Sequence, residues 1–102
     1  MSAWRVVLTS SGRSELKQLA KGLRDEAKRL IRDLAEEPFP SDAVKLRGFA
    51  DYYRIRLRHN YRIVYRVRSR QRLIVVSRVR HREDAYSGLS LRELRRKPGS
   101  TG

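Results

Sequence analysis

The spacing of apolar residues changes period along the chain. Residues 3–9, AWRVVLT, alternate Trp4, Val6 and Leu8 against Ala3, Arg5 and Thr9, which predicts a strand with one buried face. Ser10 and Ser11 then offer an N-cap, and Leu16, Leu19, Ala20 and Leu23 fall at i, i+3, i+4, i+7, the stripe of a helix buried on one side. Gly22 predicts its end, with Lys17 and Lys21 in the last turn where the helix dipole favours cations. The helical period restarts with Asp25 and Glu26 in a first turn and Ala27, Leu30, Ile31 and Leu34 on one stripe, so the segment is a helical hairpin whose mixed-charge outer faces read as solvated. Residues 36–51 contain two prolines and a glycine and keep neither period, which predicts a loop. Three strands follow over 52–58, 61–68 and 72–80.

The first hairpin has a register that can be chosen from the pattern, because a slip of one residue turns every side chain to the other face. A two-residue turn at His59-Asn60 would mix arginines with apolar residues on both faces. A three-residue loop, Arg58-His59-Asn60, pairs Leu57 with Tyr61 and gathers Tyr53, Ile55, Leu57, Tyr61, Ile63, Tyr65 and Val67 on one side, with Asn60 suited to the left-handed position. Arg54, Arg56, Arg62 and Arg66 then share the opposite side with Val64. If Ser69-Arg70-Gln71 is a second three-residue turn, Leu73, Val75 and Val79 join the apolar face and Arg78 and Arg80 the basic one. Ile74 and Val76 would also lie on the basic face and need a cover, for which SLRELRR with Leu91 and Leu94 is the candidate. The expected architecture is α+β: a strand, a helical hairpin and a three-stranded antiparallel meander, with the helices packed on one face of the sheet. Residues 1–94 form the single domain and 95–102 a disordered tail.

Charge gives the basic face a meaning. The formal net charge is +14 over 102 residues. Residues 1–51 hold ten Lys or Arg against eight Asp or Glu, whereas residues 52–102 hold fifteen against three. From Tyr52 through Arg82 there are eleven arginines, no lysine and no acid. A merely solvated surface mixes signs and uses lysine freely. Arginine alone suggests a planar fork matched to phosphate, so RNA or DNA is the expected anion. The basic half contains no amphipathic helix for a membrane surface, and neither a spanning segment nor a cleaved leader is expected. The chain has no cysteine, which excludes disulfides, thiolate catalysis and zinc-thiolate sites, and the expected location is cytoplasmic.

KLRGFADYYRIRLRHNYRIVYRV, residues 45–67, followed by RHREDAY, residues 80–86, in the order strand, helix, helix, three strands, resembles the RelE toxins of bacterial type II toxin-antitoxin pairs over residues 3–89. A Leu-Arg-Gly loop, an alternating basic strand, a Tyr-Arg-Ile-Val-Tyr strand and a His-Arg…Tyr end occur together in that order. The resemblance implies a metal-independent endoribonuclease without cofactor that enters the 70S ribosomal A site, contacts mRNA and rRNA, and cuts the mRNA by attack of a ribose 2′-OH on the adjacent phosphate. It also implies a cognate antitoxin, acidic over the segment that crosses the basic face, with operator DNA reached only through that antitoxin.

By the same resemblance Arg54 and Arg56 lie near the 2′-OH and phosphate, Arg62 stabilises the phosphate, Arg82 and Tyr86 serve the leaving group and hold base or phosphate, and Arg47 contacts RNA. Lys45, Arg66, Arg78 and Arg80 complete the expected RNA-binding set. Well-known relatives carry lysines where this chain has Arg54 and Arg56, and arginine cannot act as a base near neutral pH. Either another group is the base, His81 being the best placed in sequence, or positioning and charge accelerate the reaction without one. His81 could equally be a structural residue closing the last strand. The ParE branch of the fold, which inhibits DNA gyrase by binding without catalysis, is the alternative, and a non-catalytic RNA-binding module is a third reading.

Overall fold

The computed structural model describes residues 4–82; Tyr86, Leu91, Leu94 and the tail 95–102 lie outside them. The elements are β1 (Arg5–Leu8), α1 (Ser10–Gln18), α2 (Lys21–Leu34), β2 (Val44–Lys45), β3 (Tyr52–Leu57), β4 (Tyr61–Arg68) and β5 (Leu73–His81). They form one five-stranded sheet in the order β1-β5-β4-β3-β2, with β1 parallel to β5 and the other pairs antiparallel. The α+β architecture expected from the sequence is present, with both helices contributing to a core on one face of the sheet.

Local chemistry sets several boundaries differently from the pattern. Thr9, not a serine, caps α1: its Oγ1 accepts from the Gly12 N–H at 3.0 Å while its own N–H donates to Val76 O at 2.9 Å, tying the helix start to β5. Gly22 does not end α1, which stops at Gln18 before the extended Leu19; it lies in the first turn of α2, and Asp25 and Glu26 therefore fall in the second turn. There Asp25 accepts from Lys21 at 3.0 Å, an exposed i, i+4 pair that lowers the Asp25 pKa. The 36–51 segment is not wholly loop, since Val44 and Lys45 pair with Arg54 and Tyr53 at the sheet edge.

The β3–β4 register is the one chosen from the sequence, with Leu57 opposite Tyr61 and Arg56 opposite Arg62. The left-handed residue of the loop is Arg58 (φ 55°), not Asn60, and its Nε is held by Glu26 Oε1 at 2.7 Å. The β4–β5 expectation fails by one residue. Arg68 pairs with Leu73, so the turn has four residues, with Arg72 left-handed at φ 51°. Val67 then faces Ile74, and Ile74 and Val76 are fully buried in the main core on the helix side rather than on the basic face. Leu73 and Val75 take the outer positions opposite Arg68 and Arg66. An irregularity at Val64/Tyr65 leaves Ser77 as an extra residue and restores the phase, so Val79 faces Ile63 in the core. No separate cover for Ile74 and Val76 is needed, because the helical hairpin supplies it.

The main core joins Leu16, Leu19, Ala27, Ile31 and Leu34 from the helices to Ile55, Leu57, Ile63, Tyr65, Val67, Ile74, Val76 and Val79 from the sheet. Tyr65 is fully buried, stacks on Tyr53 with centroids 5.9 Å apart, and donates to Pro38 O at 2.8 Å. Burial pushes its phenol pKa well up. A second, smaller cluster lies on the opposite face, where Leu46, Phe49 and Tyr52 fold over Val64.

Candidate nucleic-acid interface

Residues directly opposite one another on neighbouring strands share a face, and the pairings Arg56↔Arg62↔Arg80 and Arg54↔Val64↔Arg78 run across β3, β4 and β5. Three arginines therefore stand side by side across the central strands, about one strand spacing of ~4.8 Å apart at the backbone. Arg54 and Arg78 flank them in the next row, and Arg66 follows opposite Tyr52 and Val75. This is the face away from the helices.

The arginines are held to different degrees. Arg62 is buried, 9% exposed, and its Nη1 donates to Tyr61 O at 2.9 Å and His59 O at 3.3 Å, so its guanidinium is anchored in the turn between β3 and β4. Arg56 is exposed and Arg54 half-buried. Arg66 lies 5.6 Å from the Tyr52 ring centroid, while its buried Nε has no hydrogen-bond acceptor among the described residues. Arg82 is exposed beside the same turn, its N–H donating to Asn60 O. Arg47 is exposed in the segment that follows Leu46.

Two expected site residues are not brought to this face. His81 pairs with Tyr61 on the helix side of the sheet and packs edge-on against its ring, with centroids 5.6 Å apart. The sheet thus lies between it and Arg54, Arg56 and Arg62. Lys45 pairs with Tyr53, which also packs on the helix side. Tyr86 lies outside the described residues.

Sequence reasoning missed Glu15. Its Oε2 accepts from Arg80 Nε and lies 3.5 Å from Arg78 Nη1, and its Oε1 accepts from the Val79 N–H at 2.8 Å. β1 ends opposite Val76, and among the described residues no strand pairs with the outer edge of β5 beyond that point, where α1 sends this carboxylate around the edge to both arginines. Above it lies a cleft of about 650 Å³ lined by Ser10, Ser14, Gln18, Tyr61, Arg78 and His81 among others. The missed contact spans more than sixty residues and leaves no local signal; on the helix pattern Glu15 is one more polar-face acid. Among the described residues, no group of three or more His, Asp or Glu could hold a metal ion, and no helix is long and apolar enough to cross a membrane.

The profile of the family described as "ParE toxin of type II toxin-antitoxin system, parDE" matches residues 6–86. The chain belongs to this family, and so to the RelE/ParE superfamily of type II toxins. No curated protein matches it. Among solved structures it is similar to the isolated RelE toxin of E. coli, with 29% identity, TM-score 0.70, and coverage of 90% of this chain and 100% of that one. It is also similar to a chain of the archaeal RelE-RelB complex from Pyrococcus horikoshii, with 29% identity, TM-score 0.70, and coverage of 83% and 100%. A chain of the RelBE2 toxin-antitoxin complex from Mycobacterium tuberculosis gives 28% identity, TM-score 0.67, and coverage of 78% and 98%.

Proposed function

We propose that this toxin is a metal-independent endoribonuclease that cuts mRNA in the ribosomal A site. The observation that carries the reading is the Arg56↔Arg62 cross-strand pair with Arg54 beside it: arginines of neighbouring strands on one face of the sheet suit a phosphodiester whose equatorial oxygens gain charge in the transition state. Arg62, anchored by two carbonyls, is the preorganised donor to those oxygens, and Arg56 and Arg54 complete the cradle. The 2′-OH attacks the adjacent phosphorus, the P–O5′ bond breaks, and the products are a 2′,3′-cyclic phosphate and a free 5′-OH. With arginine at positions 54 and 56 and His81 across the sheet, the 2′-OH proton passes to water and the rate comes from positioning and charge. Arg82 and Tyr86 serve the leaving oxygen or the flanking base, and Arg47 and Arg66 hold the RNA on either side.

The partner is an antitoxin whose acidic segment crosses Arg54–Arg66, in keeping with relatives solved as complexes with RelB antitoxins, and operator DNA is reached through it. The match to the ParE description favours a second reading, inhibition of DNA gyrase by binding. Programmed ribosomes incubated with the purified toxin should yield A-site fragments with a free 5′-OH. Intact mRNA together with blocked supercoiling by gyrase would replace the first reading with the second.

A further inference from the structure

We infer that Glu15 is a specificity-determining residue, an internal stand-in for phosphate that withholds Arg78 and Arg80 from unselected nucleic acid and concentrates RNA contact on Arg54, Arg56 and Arg62. The inference rests on reading this face as the RNA-binding surface. A carboxylate that accepts from Arg80 Nε and sits 3.5 Å from Arg78 Nη1 occupies ground that a phosphate oxygen would take. It is not a loose surface partner: the side chains of Glu15 and Arg78 are only 15% and 13% exposed, and the other carboxylate oxygen is fixed by the Val79 N–H.

The helix beneath it cannot swing away easily either. Leu16, the next residue, is in the core, and Gly12 lies directly on the β5 backbone at Val76. Among the described residues, by contrast, no acid comes within 4.0 Å of Arg54 or Arg56. The face is therefore divided into a half whose charge is answered from within and a half left for an external anion. A chain of net charge +14 would otherwise bind any polyanion through all its exposed arginines. Glu15 limits that contact where α1 meets the sheet.

The test is the salt dependence of binding of a labelled oligouridylate to the full chain, read by fluorescence anisotropy without ribosomes. Each phosphate neutralised on a single strand adds about 0.7 to the slope of log K against log salt. Glu15→Gln keeps an acceptor for Val79 and should steepen the slope by about 0.7 to 1.4, one or two extra phosphates. Adding Arg78→Gln and Arg80→Gln to that variant should remove the increment. In the otherwise unaltered chain the same two arginine substitutions should change the slope by less than about 0.3, and this arm decides the matter if Glu15→Gln fails to fold. An unchanged slope in a folded Glu15→Gln variant, or a clear loss of slope from the arginine pair in the unaltered chain, overturns the inference. Absence of ribosomal cleavage would defeat the endonuclease reading alone, whereas absence of oligouridylate binding at every salt concentration would defeat both.

Discussion

Replacing Gly12 by alanine should destabilise the fold, although alanine is the better helix former. In an open helix the exchange gains up to about 1 kcal/mol. Here the added Cβ would stand 2.6 Å from Val76 O and 3.3 Å from Thr9 Oγ1. Relief requires α1 to lift from β5 by roughly half an ångström or more. Inserting a methyl into such a contact typically costs about 1–3 kcal/mol. The same lift stretches the Thr9 cap at 3.0 Å and the Glu15 bond to Val79 at 2.8 Å, and a lost cap alone is worth about 1 kcal/mol. The net expectation is a loss of about 1–3 kcal/mol, which for a domain of this size lowers Tm by roughly 5–20 °C. Gly22→Ala is the internal control, because among the described residues its Cβ would meet only Arg58 Nη2, at 3.6 Å, in the first turn of α2, and it should raise stability by up to about 1 kcal/mol. Thermal and urea denaturation followed by circular dichroism measure both. Equal or greater stability in Gly12→Ala would mean that α1 does not rest on the β5 backbone.

Tyr65→Phe leaves the Pro38 carbonyl without its donor and should cost about 1–3 kcal/mol in urea titrations. The buried phenol also gives a pH signature. Its folded pKa is raised above the ordinary 10.0, so the neutral form is favoured by folding; the contribution is complete below pH 10 and is lost as pH rises beyond it. Wild type should therefore lose about 1.4 kcal/mol per pH unit above 10 relative to Tyr65→Phe, and parallel curves for the two proteins would contradict the burial. Arg62→Ala should lower ribosomal mRNA cleavage by about 10²–10³ with the fold retained, as judged by near-ultraviolet circular dichroism and single-turnover rates. His81→Gln should leave the pH profile of cleavage unaltered, since the histidine faces Tyr61; loss of an ionisation from that profile would return it to the site.

Much of this architecture was legible because β3 and β4 allow only one register that separates tyrosines and aliphatics from arginines. The helices were equally readable from Leu16 to Leu34, though not their junction. Gly22 is a common stop signal, but the backbone turns instead at Leu19 and Ala20, where Leu19 is drawn into the core. The β4–β5 hairpin misled because Leu73 to Val76 is apolar at every position, so alternation cannot choose a phase, and because a bulge at Ser77 hides the slip from the residues beyond it. The resulting error put Ile74 and Val76 on the wrong face while keeping Arg78, Val79 and Arg80 on the right ones. The same bulge decides the fate of His81: one residue beyond Arg80 on a regular strand, it must face the helices. Glu15 and its two arginines depend on tertiary packing alone.

A double-mutant cycle on ribosomal mRNA cleavage tests most directly whether the arginine row serves one phosphate. Arg56→Gln, Arg62→Gln and the combined variant are compared by single-turnover rate. If both guanidiniums act on the same transition-state charge, the combined loss is smaller than the product of the single losses by at least about tenfold. Strictly multiplicative losses, or full activity in either single variant, would contradict the account.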